Sequence, residues 1–166
     1  MQNEEEADNS MSKRTRLLGV DFGSVRVGLA ISDPDRRLAF PLEVRERQGA
    51  DGDAAFFRAL VEREEVGGLV VGLPVHLDGR EGGKAREARA FGAWLARQTS
   101  LPLVFHDERF TTVEAESALW EAGLTHKRRK QRRDKVAAQM LLQAYLDAGC
   151  PTESVPGALD DPNPTP

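Results

Sequence analysis

The chain has 166 residues, of which 40% are apolar and 30% charged, with a formal net charge of −4. That is long enough for one domain with a buried core, and no apolar run approaches the roughly 20 residues that span a bilayer. The opening MQNEEEADNS is acidic and lacks the apolar stretch of a secretory signal, and the single cysteine, Cys150, excludes an intramolecular disulfide. A soluble cytoplasmic protein is expected.

The charge is unevenly placed. Residues 1–9 contribute −4 and residues 151–166 contribute −3, so the stretch between them carries +3 against the total of −4. Residues 1–15 read as a disordered acidic arm and 150–166 as a disordered tail with five prolines in its last sixteen residues, which leaves a folded domain over 16–149. Within it, KRRKQRRDK (127–135) holds seven basic residues and one acid. Such a segment fits a polyanionic partner, although basic connections can also be merely solvated.

In chain order, Leu17–Phe22 alternates as a strand, Gly23–Ser24 permit a turn, and Val27, Leu29 and Ile31 mark a second strand over Arg26–Ser32. Leu38–Arg45 reads as a third strand. Residues 51–65 carry Ala54, Phe57 and Val61 at helical spacing. Residues 68–74 form a short apolar run suited to a strand buried on both faces. A helix over 81–98, a strand over 101–108 and a helix over 111–123 follow. The basic segment then reads as a mobile connection, because its part before Asp134 holds no apolar residue. A last helix runs over 134–149. The order βββαβαβαα predicts an α/β fold: a mixed five-stranded sheet flanked by helices on both faces. It resembles the order of the ribonuclease H fold.

Three carboxylates stand out against this framework. Asp21 interrupts an apolar strand, where aspartate is disfavoured. Glu108 closes a buried strand at its C-terminal end, where open α/β sheets place ligands. Asp134 opens the last helix, four, seven and eleven residues before Ala138, Leu141 and Tyr145, and so shares their sheet-facing stripe. With strands one and four adjacent and strand five beside four, the three acids converge. Converging carboxylates repel one another unless cations intervene, and oxygen ligands suit Mg²⁺ or Mn²⁺ in two-metal phosphodiester cleavage. Each acid also admits a plain structural role. Asp21 could bond the adjoining turn, Glu108 could pair with Arg109, and Asp134 could cap its helix. His106 shares the Glu108 face, with a packing role favoured, whereas Asp107 points away. The candidate contacts to nucleic acid are Arg26, Arg80, Lys84, Arg109, Lys127, Arg128, Arg129, Lys130, Arg132, Arg133 and Lys135. Arg80 and Lys84 flank the glycine-rich stretch 72–84, whose backbone could approach a phosphate.

GVDFGSVRVGLAISD, GLPVHLDGREGGKA, DERFTTVEAE and DKVAAQMLLQAYLD resemble, in order and over Arg16 to Gly149, the four signature blocks of the YqgF/RuvX family. Members of that family are described as Holliday junction resolvases or pre-16S rRNA nucleases. The resemblance implies a ribonuclease H-like fold, a bacterial cytoplasmic setting, and divalent-metal nuclease activity on structured nucleic acid, including 5′-end maturation of 16S rRNA. It maps the family's acids onto Asp21, Glu108 and Asp134. One departure concerns resolvases of the RuvC type, which add a carboxylate three residues beyond the helix aspartate; this chain has Ala137 there.

The leading expectation is therefore a nuclease acting on structured RNA such as pre-16S rRNA. The alternatives are a resolvase of branched DNA, which would favour a homodimer making paired cuts, and an RNA-binding module without catalysis. DFGS after a strand also resembles the phosphate loop of actin-like kinases, but those need two such domains, which 166 residues cannot supply.

Overall fold

The computed structural model describes residues 15–76, 78–108 and 125–152. Residues 1–14 and 153–166 of the proposed terminal arms, Arg109 and the helix expected over 111–123 lie outside the described residues, whereas the start of the expected tail is tied down: Cys150 N–H donates to the Tyr145 carbonyl and the Tyr145 hydroxyl donates to the Pro151 carbonyl. Five strands, β1 (Arg16–Phe22), β2 (Arg26–Ser32), β3 (Ala39–Glu46), β4 (Val66–Leu73) and β5 (Leu103–Asp107), form one sheet in the order β3-β2-β1-β4-β5. β1 and β2 pair antiparallel, as do β2 and β3, while β1–β4 and β4–β5 are parallel. Among the described residues three helices accompany them: α1 (Ala50–Arg63), α2 (Gly83–Thr99) and α3 (His126–Asp147). Among the described residues no helix is long and apolar enough to cross a membrane.

The strand alternation sorts the helices onto two faces. Leu18, Val20, Leu29, Leu69 and Val71 point one way and pack with Phe57 and Leu60 of α1 and Phe91 and Leu95 of α2. Leu17, Ala30 and Val70 point the other way and pack with Ala138, Leu142 and Tyr145 of α3. The α3 face is lined by smaller residues, and glycines bring the helix close. A Cβ on Gly19 would stand 2.8 Å from Leu142 Cβ, and one on Gly28 would stand 2.3 Å from the carbonyl oxygen of Asp134. Neither distance is tolerated by a real side chain, so the seating of α3 requires glycine at both positions.

Helix α3 is also tied to the edge strand. Ala39 N–H donates to Gln143 Oε1 at 2.9 Å, and Gln139 Nε2 donates to the Ala39 carbonyl at 3.0 Å. The helix begins eight residues earlier than its apolar pattern indicates. The basic segment expected as a mobile connection is instead its first turns, and Asp134 lies in the helix interior rather than at its cap. Between Thr125 and Asp147 there is no proline or glycine, and Arg, Lys and Gln are good helix formers, so the backbone continues where burial stops. No acidic residue sits in the first turn. Cations therefore crowd the positive end of the helix dipole, an arrangement that an external anion would relieve.

Candidate active site

The C-terminal ends of β1, β4 and β5 lie together because the three strands are parallel. Asp21 is next to last in β1, and Glu108 follows directly on β5, where its N–H donates to the Leu73 carbonyl at 3.2 Å. β4 runs between them, so their backbones stand two strand spacings, roughly 9–10 Å, apart. Their carboxyl groups meet only by crossing over β4, and at the crossing point β4 carries Gly72. A Cβ there would lie 1.8 Å from Glu108 Oε1 and 2.6 Å from its carboxyl carbon. The Glu108 carboxyl thus occupies the space that any other residue at position 72 would fill. Sequence reasoning gave this glycine to a phosphate loop; the structure gives it to a carboxylate.

Across that gap Asp21 and Glu108 share a side-chain hydrogen bond. Two carboxylates can do so only with a proton between them. Burial, then the Asp21 charge and the shared hydrogen bond, then the Asp107 charge, push the Glu108 carboxyl up to about 9. Burial also raises Asp21; its hydrogen bond to Glu108 opposes that shift, and the nearby charge of Asp134 adds to it. The two carboxyls hold one proton between them, and the pair titrates as a unit.

Asp134 approaches from α3. Its backbone carbonyl rests over Gly28, the direct cross-strand partner of Asp21. Its carboxylate is within electrostatic range of Asp21, but Oδ2 lies 3.5 Å from Arg26 Nε. Asp21 and Glu108 are thus paired, and Asp134, on the same face of the sheet, is engaged by Arg26. Among the described residues no group of three or more His, Cys, Asp or Glu is placed to hold a metal ion. The donor chemistry nonetheless fits a hard divalent cation. A pair of buried carboxyl oxygens that must retain a proton in its absence is what such an ion would displace and bind, with the Asp134 charge close enough to be felt at Asp21. Asp21, Glu108 and Asp134 are the residues that would hold Mg²⁺ or Mn²⁺.

The basic residues divide. Arg26, Arg128, Arg132 and Lys135 line an open groove of about 680 Å³ beside Asp134, faced by Glu43 and Glu46 of β3. Arg128, Arg132 and Lys135 fall at helical spacing on one side of α3, and Lys127 and Arg133 are exposed on the same helix. The two glutamates were not singled out from the sequence, where they look like ordinary edge-strand charges. Arg80 lies elsewhere, in the turn after β4, 3.6 Å from Asp78. Lys84 is exposed in the first turn of α2, the helix on the opposite face from α3. The side chains of Arg129 and Lys130, like Arg109, lie outside the described residues. The His106 ring stacks edge-on against Tyr145 at 5.7 Å between ring centres, and burial holds it below the usual histidine range. That is the packing role expected for it.

Comparison with known proteins agrees with this architecture. A family model described as "RuvX: Holliday junction resolvase" matches residues 15–148. A protein of Rhodopirellula baltica named "Putative pre-16S rRNA nuclease" is 46% identical over 142 residues, covering 86% of this chain and 82% of its own length. A relative of the same name from an Anaeromyxobacter species is 46% identical over 132 residues, covering 80% of this chain and 96% of its own. Among solved structures, the Fowlpox virus resolvase in complex with Holliday junction DNA superposes with a TM-score of 0.52 at 8% identity, covering 82% of this chain and 99% of that one. At that identity the likeness concerns the fold alone, and it places the sheet among the ribonuclease H-like resolvase folds. Matched along almost the whole of its described length, the chain belongs to the RuvX family.

Proposed function

We propose that this protein is a divalent-metal-dependent nuclease that hydrolyses phosphodiester bonds in structured nucleic acid, and that its cytoplasmic substrate is the 5′ end of pre-16S rRNA. The observation that carries this reading is the buried Asp21–Glu108 carboxyl pair at the C-terminal end of the sheet, with the Glu108 carboxyl seated over Gly72 and Asp134 linked through Arg26 to a groove with a basic wall. Burying two acids side by side costs stability and adds nothing to the core, so the pair is better explained by a ligand than by packing.

When bound, Mg²⁺ or Mn²⁺ would activate a water and stabilise the leaving oxygen of a phosphodiester, most simply as a pair of ions. The rest of the chemistry belongs to the chain. Asp21 and Glu108 present oxygens from rigid strand ends, Glu108 giving up its proton as it takes on a ligand role. Asp134 adds a third carboxylate from α3. Arg26, Arg128, Arg132 and Lys135 hold the phosphate backbone in the groove, whose Arg26 is the partner of Asp134. Lys127 and Arg133 extend the cationic surface, and Arg109, Arg129 and Lys130 remain candidates for it. The names of the relatives favour RNA as substrate.

A second reading, resolution of branched DNA, is favoured by the description of the family model. Paired symmetrical cuts would then call for a homodimer. Ala137, three residues past Asp134, denies this site the fourth carboxylate of RuvC-type resolvases and weighs against that reading.

The test is to incubate the protein and Mn²⁺ with a labelled pre-16S fragment, a four-way junction and single-stranded DNA. Cleavage of the precursor is expected, stopped by EDTA and by Asp21→Asn, and poorly supported by Ca²⁺, whose longer and looser coordination spoils the spacing. Symmetrical junction cuts with an intact precursor would install the second reading. Binding of every substrate without any cleavage would make the protein a non-catalytic module.

A further inference from the structure

The position of Asp134 is fixed at the backbone and open at the side chain. Its carbonyl oxygen lies only 2.3 Å from where a Cβ on Gly28 would be. One turn on, Ala138 is fully buried against the sheet. Gln139 and Gln143 then clamp the helix to the edge strand through the backbone of Ala39. Where the Asp134 carboxylate points is therefore decided by its own two side-chain torsions. Two destinations lie on that face of the sheet. Asp21 pairs directly with Gly28 across the β1–β2 ladder, and Arg26 stands two residues before Gly28 on β2, on the same face. The carboxylate is directed to Arg26, at 3.5 Å.

We propose that Arg26 is a positioning residue that competes with the metal site for Asp134, holding this carboxylate off the Asp21–Glu108 pair until ligands separate the two side chains. The proposal rests on the metal-nuclease reading above. The side chains of Arg26 and Asp134 are 26% and 28% exposed, so the ion pair is screened and easily exchanged. A divalent cation at Asp21 and Glu108 attracts the carboxylate, and a phosphate in the groove, which Arg26 itself lines, attracts the guanidinium. Each ligand thereby releases the partner that the other needs. Metal and nucleic acid should consequently strengthen each other's binding.

The test is a Mn²⁺ titration of the free protein, followed calorimetrically, for wild type, Arg26→Gln, Asp134→Asn and the double variant, with folding checked by thermal melts. It requires no turnover. Arg26→Gln should bind Mn²⁺ about two- to fivefold more tightly, the strength of an exposed ion pair, and the gain should vanish in the Asp134→Asn background. An equal gain in both backgrounds would show only that a positive charge was removed near a cation, and would overturn the proposal. So would an unchanged or weaker affinity in Arg26→Gln. Arg26→Met, of similar length and uncharged, serves the same cycle should the glutamine variant melt early. Asp21→Asn and Glu108→Gln run alongside to separate the two levels of inference. If Mn²⁺ binds wild type but neither of these substitutions weakens it, or if wild type binds no Mn²⁺ at all, the metal reading falls and this proposal falls with it.

Discussion

Replacing Glu108 by glutamine should make the metal-free protein more stable, not less. The glutamine side chain keeps the shape that fills the space over Gly72, and its amide can donate to Asp21 as the protonated carboxyl does. What it removes is the proton linkage. The Glu108 carboxyl rises from its ordinary 4.5 to about 9 in the folded state. Between those values the native protein holds a proton that the unfolded chain has released, so wild-type stability falls as pH rises. The contribution is intact below about pH 4.5, is lost progressively up to about pH 9, and is flat beyond. At about 1.4 kcal/mol per pH unit, the 2.5 units between 4.5 and neutrality set a ceiling of about 3–4 kcal/mol. Partial solvation of the site and coupling to Asp21 bring the expectation at pH 7 to about 1–3 kcal/mol. Urea unfolding in EDTA from pH 5 to 9 measures it. The two stability curves should lie close together at pH 5 and diverge with rising pH, the variant above. Added Mn²⁺ should then raise the wild type by mass action and leave the variant behind. Parallel curves with a constant offset would refute the shared-proton account, since a packing change carries no pH dependence.

Two further predictions concern the ground on which the acids stand. Gly72→Ala should displace the Glu108 carboxyl, because the new methyl would start 1.8 Å from Glu108 Oε1, whereas Leu141 Cδ2 at 2.9 Å can move aside. About 1–3 kcal/mol of stability should be lost by overpacking, with Mn²⁺ affinity and cleavage down at least about tenfold, and wild-type cleavage by this variant would remove Glu108 from the site. Arg128→Ala, Arg132→Ala and Lys135→Ala combined should leave the melting temperature nearly unchanged, since all three are exposed, while the slope of log affinity for nucleic acid against log salt flattens by about 2, at 0.7–0.9 per phosphate contact. An unchanged slope would assign these cations to solubility alone.

The first strands were legible because alternation survives in them, and β4 because burial on both faces leaves it a continuous apolar run. Val27, Leu29 and Ile31 all face the α1–α2 core, as their period of two requires. The sheet order followed from connection rules rather than from any one residue, and the parallel neighbours β1, β4 and β5 then put Asp21 and Glu108 at the same end. The start of α3 was not legible, because amphipathic periodicity reports burial and the first two turns of that helix carry exposed cations in place of apolar residues. The ion pair of Arg26 with Asp134 was hidden for a different reason: it joins residues more than a hundred positions apart whose juxtaposition depends on helix seating.

That seating has its own sequence trace, in the glycines of the α3 face. Gly19 on β1, Gly28 on β2 and Gly72 on β4 all lie on the face toward α3, and at each a Cβ would collide with α3 or with the Glu108 carboxyl. A strand interior normally excludes glycine, because it weakens the ladder and offers nothing to pack. Three such residues on one face mark where another group must approach the backbone of the sheet. Had that face carried valines, α3 would stand off by the depth of a side-chain layer, Asp134 could not lie over the partner of Asp21, and Glu108 could not cross β4. The destabilising choices, glycine within strands and carboxylates over them, therefore occur together, and each makes sense only in the presence of the other. The glycines create the low surface on which acids from β1, β5 and α3 can come within reach of one another, and so they place the chemistry of the site as directly as the acids do.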